Sequence, residues 1–406
     1  DGGAKVSSDA VQVNLELARP SSPTNVEAVP GETVINVTWD EVSGNQGYQV
    51  YVSSTELTSG SEPEDVGASS TASADESVNV SSGVSVGGTY WVGVTTVNSF
   101  GNESVLSVFG PVVTQPTDDF WELYKENGGT EIGGYCAVSR QTDARGLFGM
   151  FGVLALLGLR RRRTPRRIVG GCILMGALVL GVPASAQVQN ELESPISSAL
   201  EIKLGNYEPQ IDEGSGGGDA FATVFGDANL GFELEYDYQV WRGIGSLGIG
   251  LNLGYVSATG SSVNEDGTSS PDRSRLNMFP LRAALVYRLD WFQTQYRIPL
   301  VLAFKFGLDY YLWSTRSSGG VSDYTDASGE RTIGRGATHG YHAAIGGYFL
   351  LDSLAPRMAQ AFDANSGVNN SYIFAEYLIA NIDDFGSSDS WDLGDRTAMF
   401  GLAFEF

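Results

Sequence analysis

The chain has 406 residues, a formal net charge of −24, 52 glycines and 11% aromatic residues, while only 18% of its residues are charged. That length holds two or three domains, and the acidity excludes nucleic acid as a partner. Abundant Gly and aromatics with few charges favour β-rich folds with many turns over helical bundles.

The charge is unevenly spread. Residues 1–146 hold 20 acids and 5 bases, residues 147–186 hold 6 bases and no acid, and residues 187–406 hold 28 acids and 13 bases. The chain opens at Asp1, as expected of a processed or truncated product. Residues 1–19 contain one alternating run, Val11 to Leu17, which reads as a remnant strand or linker. Over residues 20–115 short β-rich runs alternate with Gly, Pro, Ser and Asn turns. In "TVINVTW", Val34, Asn36 and Thr38 share one face, and Ile35, Val37 and Trp39 the other. "GYQVYVSS" and "TYWVGVTTVNS" repeat that period of two, so a two-sheet sandwich is predicted. With Trp39 late in the second strand, Tyr48 in "GYQVYVSS" and Tyr90 opening "YWVGVTTVNSFGNES", the segment resembles a fibronectin type III domain. The resemblance implies adhesion or spacing, with a protein partner for the sandwich, and no chemistry. Asn-x-Ser/Thr occurs at Asn36, Asn79 and Asn102 and reads as chance in a Ser-rich domain.

Residues 116–145 form a linker that contains Cys136. Within it "DDFWELYKENGG" predicts one short helix, capped by Asp118 and ended by Gly128. Fourteen uncharged residues, Gly146 to Leu159, then meet Arg160–Arg163. As a helix they span about 21 Å, short of the roughly 30 Å hydrocarbon core. Cysteine, apolar stretch and Arg cluster (146–163 for the last two) resemble a myxobacterial C-terminal sorting tail. That resemblance implies processing, with Cys136 retained for surface attachment. Residues 164–186 then follow the plan of a secretory signal peptide: Arg166 and Arg167, an apolar middle from Ile168 to Pro183, and Ala184-Ser185-Ala186 as the exit. Signal peptidase is expected to cut after Ala186. Cys172 sits inside this segment, so a disulfide with Cys136 is not expected. Two readings stay open: adjacent genes joined in one chain, or a true fusion with a helical hairpin.

From Ala199 the alternation becomes long and regular. Leu230, Phe232, Leu234, Tyr236, Tyr238 and Val240 alternate with Glu233, Glu235 and Asp237. Leu302, Phe304, Phe306, Leu308, Tyr310 and Leu312 oppose Lys305 and Asp309. Such runs match bilayer-crossing strands, which must close into a barrel because lipid offers no backbone partners. Eight strands are predicted, near 198–208, 228–241, 244–258, 275–290, 298–314, 337–351, 370–381 and 396–406. The connections 209–227, 259–274, 315–336 and 382–395 read as long outer loops. Residues 352–369 read as a helix capped by Asp352 or Ser353, with Pro356 in its first turn and Gly367 after its end. Phe400, Leu402, Phe404 and Phe406 share one face of the last strand, which resembles the signal read by the outer-membrane barrel insertion machinery. As a whole, residues 187–406, through "EIKLGNYEPQID", "FELEYDYQVWRGIGSLGIGLNLGY", "LNMFPLRAALVYRLDW", "IPLVLAFKFGLDYYLW", "FAEY" and "GLAFEF", resemble a family of myxobacterial outer-membrane β-barrels.

The predicted fold class is therefore all-β: an eight-stranded antiparallel transmembrane barrel plus a fibronectin type III-like sandwich, joined by two short hydrophobic helical segments. Inward positions carry Glu201, Lys203, Glu233, Glu235, Asp237, Arg282, Arg288, Lys305, Asp309, Glu376 and Glu405. In a barrel this narrow they are expected to plug the lumen as ion pairs. A narrow ion path is the functional alternative. His339 and His342 point to opposite strand faces, so no metal pair or His-based triad is expected. The acidic loop with Asp383, Asp384, Asp389, Asp392 and Asp395 lacks metal-loop spacing and reads as solvated, the alternative being cations shared with lipopolysaccharide phosphates. No cofactor and no catalytic residue is expected. The partners implied are outer-membrane lipid and lipopolysaccharide, and the function expected is non-enzymatic, in the outer membrane and at the cell surface or periplasm.

Overall fold

The computed structural model describes residues 18–63, 69–133, 196–214, 216–226 and 229–406. The Val11–Leu17 run, Cys136, Cys172, both apolar segments, the Arg clusters, Ala184 and Ala186 lie outside the described residues.

Seven strands build the sandwich: β1 (Glu27–Pro30), β2 (Ile35–Thr38), β3 (Gly47–Ser53), β4 (Ser69–Ser73), β5 (Ser77–Val80), β6 (Thr89–Val97) and β7 (Ser107–Val113). They form sheets β1-β2-β5 and β4-β3-β6-β7, the fibronectin type III arrangement. The alternating inward residues Ile35, Val37, Val50, Val92 and Val94 pack between the sheets, with Trp39 edge-on to Tyr48 at 5.1 Å. Tyr90 is the second residue of β6, and its hydroxyl accepts the Ser85 amide at 2.9 Å, pinning the preceding turn to the sheet.

Two elements follow, β8 (Thr117–Asp118) and α1 (Phe120–Glu126). Asp119 caps α1, not Asp118: its carboxylate accepts the Trp121 and Glu122 amides, and Glu122 reaches back to the Asp119 amide at 2.9 Å. Asp118 is taken by β8, which pairs with a barrel strand.

The barrel consists of β9 (Ser198–Tyr207), β10 (Asn229–Gly243), β11 (Gly245–Asn264), β12 (Ser269–Leu289), β13 (Leu300–Ser317), β17 (Arg335–Leu350), β18 (Asn370–Asn381) and β19 (Asp395–Glu405). All neighbours are antiparallel, and β19 pairs with β9 to close the ring. One end carries both barrel termini: the Ser198 and Phe406 backbones bond each other at 2.9 and 3.1 Å. The connections there are the β10–β11 turn, α4 (Trp291–Tyr296) and α5 (Pro356–Ser366). Gly245 makes that turn possible with φ +88°, where a side chain would strike the Arg288 carbonyl. Pro356 sits in the first turn of α5 and Gly367 ends it left-handed, as predicted. Its cap differs: Ala355 precedes the helix, Ser353 bonds the Leu350 carbonyl, and Asp352 accepts the Ser371 amide at 3.3 Å.

The opposite end carries the long connections. Residues 208–228 contain α2 (Ile211–Gly214) and α3 (Ala220–Phe225), and residues 318–334 contain β14 (Gly320–Val321), β15 (Asp323–Thr325) and β16 (Arg331–Ile333). The 259–274 loop is mostly strand. β11 and β12 stay paired through Thr259↔Arg275, Gly260↔Ser274 and Val263↔Ser269. These Ser, Thr and Gly residues lack apolar alternation, which hid the extension. Its outer edge takes β8, through Val263↔Asp118 and Asn264↔Thr117.

Candidate functional site

The pleat sends alternate residues of every barrel strand outward and inward. Outward lie Phe232, Leu251, Leu285, Phe304, Phe306, Ile345, Ile379, Phe400 and Leu402, all well exposed. Phe404 and Phe406 share that outward face and are half-buried. All eleven charges predicted to face inward are buried, with Glu201 and Lys203 at 0% and 1% exposure. A soluble protein would invert this distribution, since apolar side chains normally fill the interior.

The charges form linked layers. Near the termini Arg288 engages Glu201 and Asp237, the latter at 2.7 Å, and approaches Glu405 at 3.7 Å. Above it two lysines sit among three glutamates. Lys305 Nζ lies 2.6, 2.8 and 2.9 Å from Glu201, Glu235 and Glu376. Lys203 Nζ lies 2.5 and 3.1 Å from Glu235 and Glu376. Higher still, Arg282 engages Glu233 and the Tyr311 hydroxyl, with Asp309 at 3.5 Å. Neutral donors add to the network: Asn252 donates to Glu233, Tyr348 to Glu201 and Tyr372 to Glu405, each at 2.9 Å. Glu201, Glu235 and Asp237 lie close enough together to hold a metal ion. Lys305 and Arg288 already fill that place, so the cluster is an ion-pair plug.

His342 belongs to this network, which its reading as half of a histidine pair did not include. It is buried and pairs with Asp309. Position 342 shares its parity with the inward residues of β17, and that was the available signal. His339 faces out and pairs with Asp384 at 2.5 Å, so the two histidines are on opposite faces as expected. In the acidic loop, Asp384 also accepts the His339 amide, Asp392 the Gly394 amide and Asp395 the Arg396 amide. These carboxylates fasten turns.

Above the charges the lumen turns aromatic. Tyr311, Trp313, Trp391, Met278 and Met399 fill it, and α1 closes the mouth with Phe120, Trp121 and Tyr124, each 0% exposed. Trp391 is the centre, with ring centroids 4.0 Å from Trp313 and 5.5 Å from both Trp121 and Tyr124. Residues Thr117–Gly133, expected as part of a linker, are thus built into the mouth.

The rim holds buried acids. Glu131 accepts the Trp391 amide and the Gly133 amide, both at 2.9 Å. Burial lifts its carboxyl to about 7; Asp384 adds to the rise, and the two amides and Lys125 oppose it. Burial also lifts Glu122 to about 7, with Asp119, Asp118 and Glu32 adding repulsion and the Asp119 amide opposing. Released from the mouth, both titrate near 4.5. Between those values the seated segment binds more protons than the released one. Seating therefore weakens as pH rises from about 4.5 to about 7 and is level above that. The near-ultraviolet dichroism of the aromatic cluster should resist urea better at about pH 5.5 than at about pH 8. Glu131→Gln with Glu122→Gln should reduce the difference, burial raising Asp118, Asp119 and Asp395 in the same direction; an unchanged pH effect in that double variant refutes the assignment.

No protein-family model matches the chain, and no curated protein matches it in sequence. Among solved structures it is similar to Ail, the attachment invasion locus protein of Yersinia pestis, in complex with the heparin analogue sucrose octasulfate. That likeness is 14% identical, covers 52% of this chain and 100% of that one, and has a TM-score of 0.31. Neisserial surface protein A is 11% identical over 52% of this chain and 100% of its own, at a TM-score of 0.30. A Fn3-like protein from Clostridium thermocellum is 23% identical over 25% of this chain and 97% of its own, at a TM-score of 0.19.

Proposed function

We propose that the chain is a non-enzymatic outer-membrane β-barrel protein that carries its fibronectin type III-like domain at the cell surface, for adhesion or spacing. The observation that supports this reading best is the inverted distribution of side chains: apolar outside, ion-paired inside. Only a hydrocarbon solvent makes that arrangement favourable, since buried charges need partners and exposed aliphatics need lipid. Outer-membrane lipid and lipopolysaccharide are then its surroundings, and the terminal strand with Phe400, Leu402, Phe404 and Phe406 is its address to the insertion machinery. The sequence around Cys136, read as a sorting tail, and the A-x-A exit at Ala184 and Ala186, read as a signal-peptide end, fit two adjacent exported proteins joined in one chain.

An enzyme working in the lumen would need free acid–base groups, whereas the lumen carboxylates among the described residues are engaged by Lys, Arg, His, Asn and Tyr. The alternative, a small channel for ions or solutes, conflicts with a lumen filled from Glu405 to Trp391. Reconstituted in a planar bilayer, the full chain should show no discrete conductance steps. Regular single-channel openings would overturn the plugged reading in favour of the channel. Failure of the chain to insert into vesicles in a trypsin-protected form would overturn membrane residence itself.

A further inference from the structure

The two halves meet through a surface of a definite kind. Phe120, Trp121 and Tyr124 fill the barrel mouth. The Phe120 amide donates to Ser274 Oγ at 3.0 Å, and Thr130 Oγ1 to the Ser388 carbonyl at 2.6 Å. Gly133 lies so near the Ile333 carbonyl that a Cβ there would come within 2.2 Å of it. The sandwich adds its own contact: the Glu32 amide donates to Asp272 at 2.5 Å, and Thr33 meets Ser318 at 3.2 Å. The contact is therefore interior-like, with buried aromatics at its centre and polar bonds at its rim, as strong interfaces are built.

Gly133 is at the mouth, whereas Ser197 bonds Phe406 at the opposite end of the barrel. The filled lumen offers no path between those ends. The connecting residues 134–195 also carry the A-x-A exit and the cysteine read above as processing points.

We infer that the mouth of the barrel is a preformed receptor for segment 117–133, which holds the sandwich half by noncovalent contact alone, so that both halves stay one particle once the chain between them is cut. The inference rests on the outer-membrane reading and names the partner of its outer end. The test uses the full chain with a recognition sequence for a site-specific protease inserted after Ala186, folded in detergent micelles, cut and captured through a tag at Asp1. The barrel fragment should be retained through dilution. Trp121→Glu should weaken retention by about a hundredfold or more, and Phe120→Ala by a smaller factor, as expected for central aromatic anchors. Throughout, the barrel fragment should keep the heat-dependent gel mobility of a folded barrel. Separation of the unsubstituted fragments with that mobility intact overturns the receptor and leaves the barrel reading standing. Retention of both substituted fragments at full strength also overturns it, because the contact would then lie elsewhere. Loss of the mobility shift in the uncut, unsubstituted chain overturns the barrel reading instead.

Discussion

Lys305→Met should lower the unfolding free energy of the barrel by about 3–5 kcal/mol, the cost of leaving buried charges without their partner. Lys305 touches Glu201, Glu235 and Glu376 at once, and its side chain is 2% exposed. Methionine keeps the unbranched apolar stem and removes the terminal ammonium with its charge and three donors. Lys203 alone then faces the same three carboxylates, all of them buried. Adding Glu376→Gln to Lys305→Met removes one of the stranded charges, so the double variant should recover part of the loss. That non-additivity is the mark of groups in one network. Urea midpoints in lipid vesicles measure both. A loss under about 1 kcal/mol in the single variant would mean that water enters the lumen, as in an open channel and contrary to a plug.

Such a network does not maximise stability, since replacing all of its members by well-packed apolar residues is often neutral or better. Its use in this fold follows from geometry. The eight-stranded lumen is too narrow for an aqueous path and too wide for backbone contact, so side chains must fill it. Charges inside also discourage the one-residue register slip that would turn every strand inside out.

Parity explains what the sequence revealed and what it hid. Glu233, Glu235 and Asp237 could be assigned inward because Phe232, Leu234 and Tyr236 between them could only be outward. His342 follows the same rule, its even parity on β17 placing it inward beside Asp309. The upper lumen was harder. Trp121 and Trp391 stand 270 positions apart, and no local period says that they stack. Nor does a short amphipathic helix announce which surface it covers; "DDFWELYKENGG" reads the same whether Phe120 meets solvent, a lipid face or a barrel mouth. The extended β11–β12 hairpin leaves no apolar period in the sequence, because strands beyond the bilayer need no apolar face. Paired only by backbone, they rise in Ser and Thr.

One residue beyond Lys305 the rule reverses. Phe306 is 60% exposed on the outer face, opposite Leu285 and Ala343 on the neighbouring strands. Phe306→Arg puts a guanidinium near the middle of the apolar belt and should cost about 2–4 kcal/mol in a bilayer. The cost belongs to the solvent and not to any lost contact. In a water-soluble protein the same change at so exposed a site would fall within about 0.5 kcal/mol. Arg placed at Val240 or Leu300, nearer the terminus end, should cost less, about 0–1 kcal/mol, because the side chain reaches the headgroups. Urea unfolding from vesicles gives the three values on one scale. Equal and near-zero costs at all three positions would mean that water, not hydrocarbon, faces the outer strands. A gradient with its maximum at Phe306 can be produced only by a slab of low polarity around the barrel. Adjacent residues of one strand would then make opposite demands, with charge required at 305 and refused at 306.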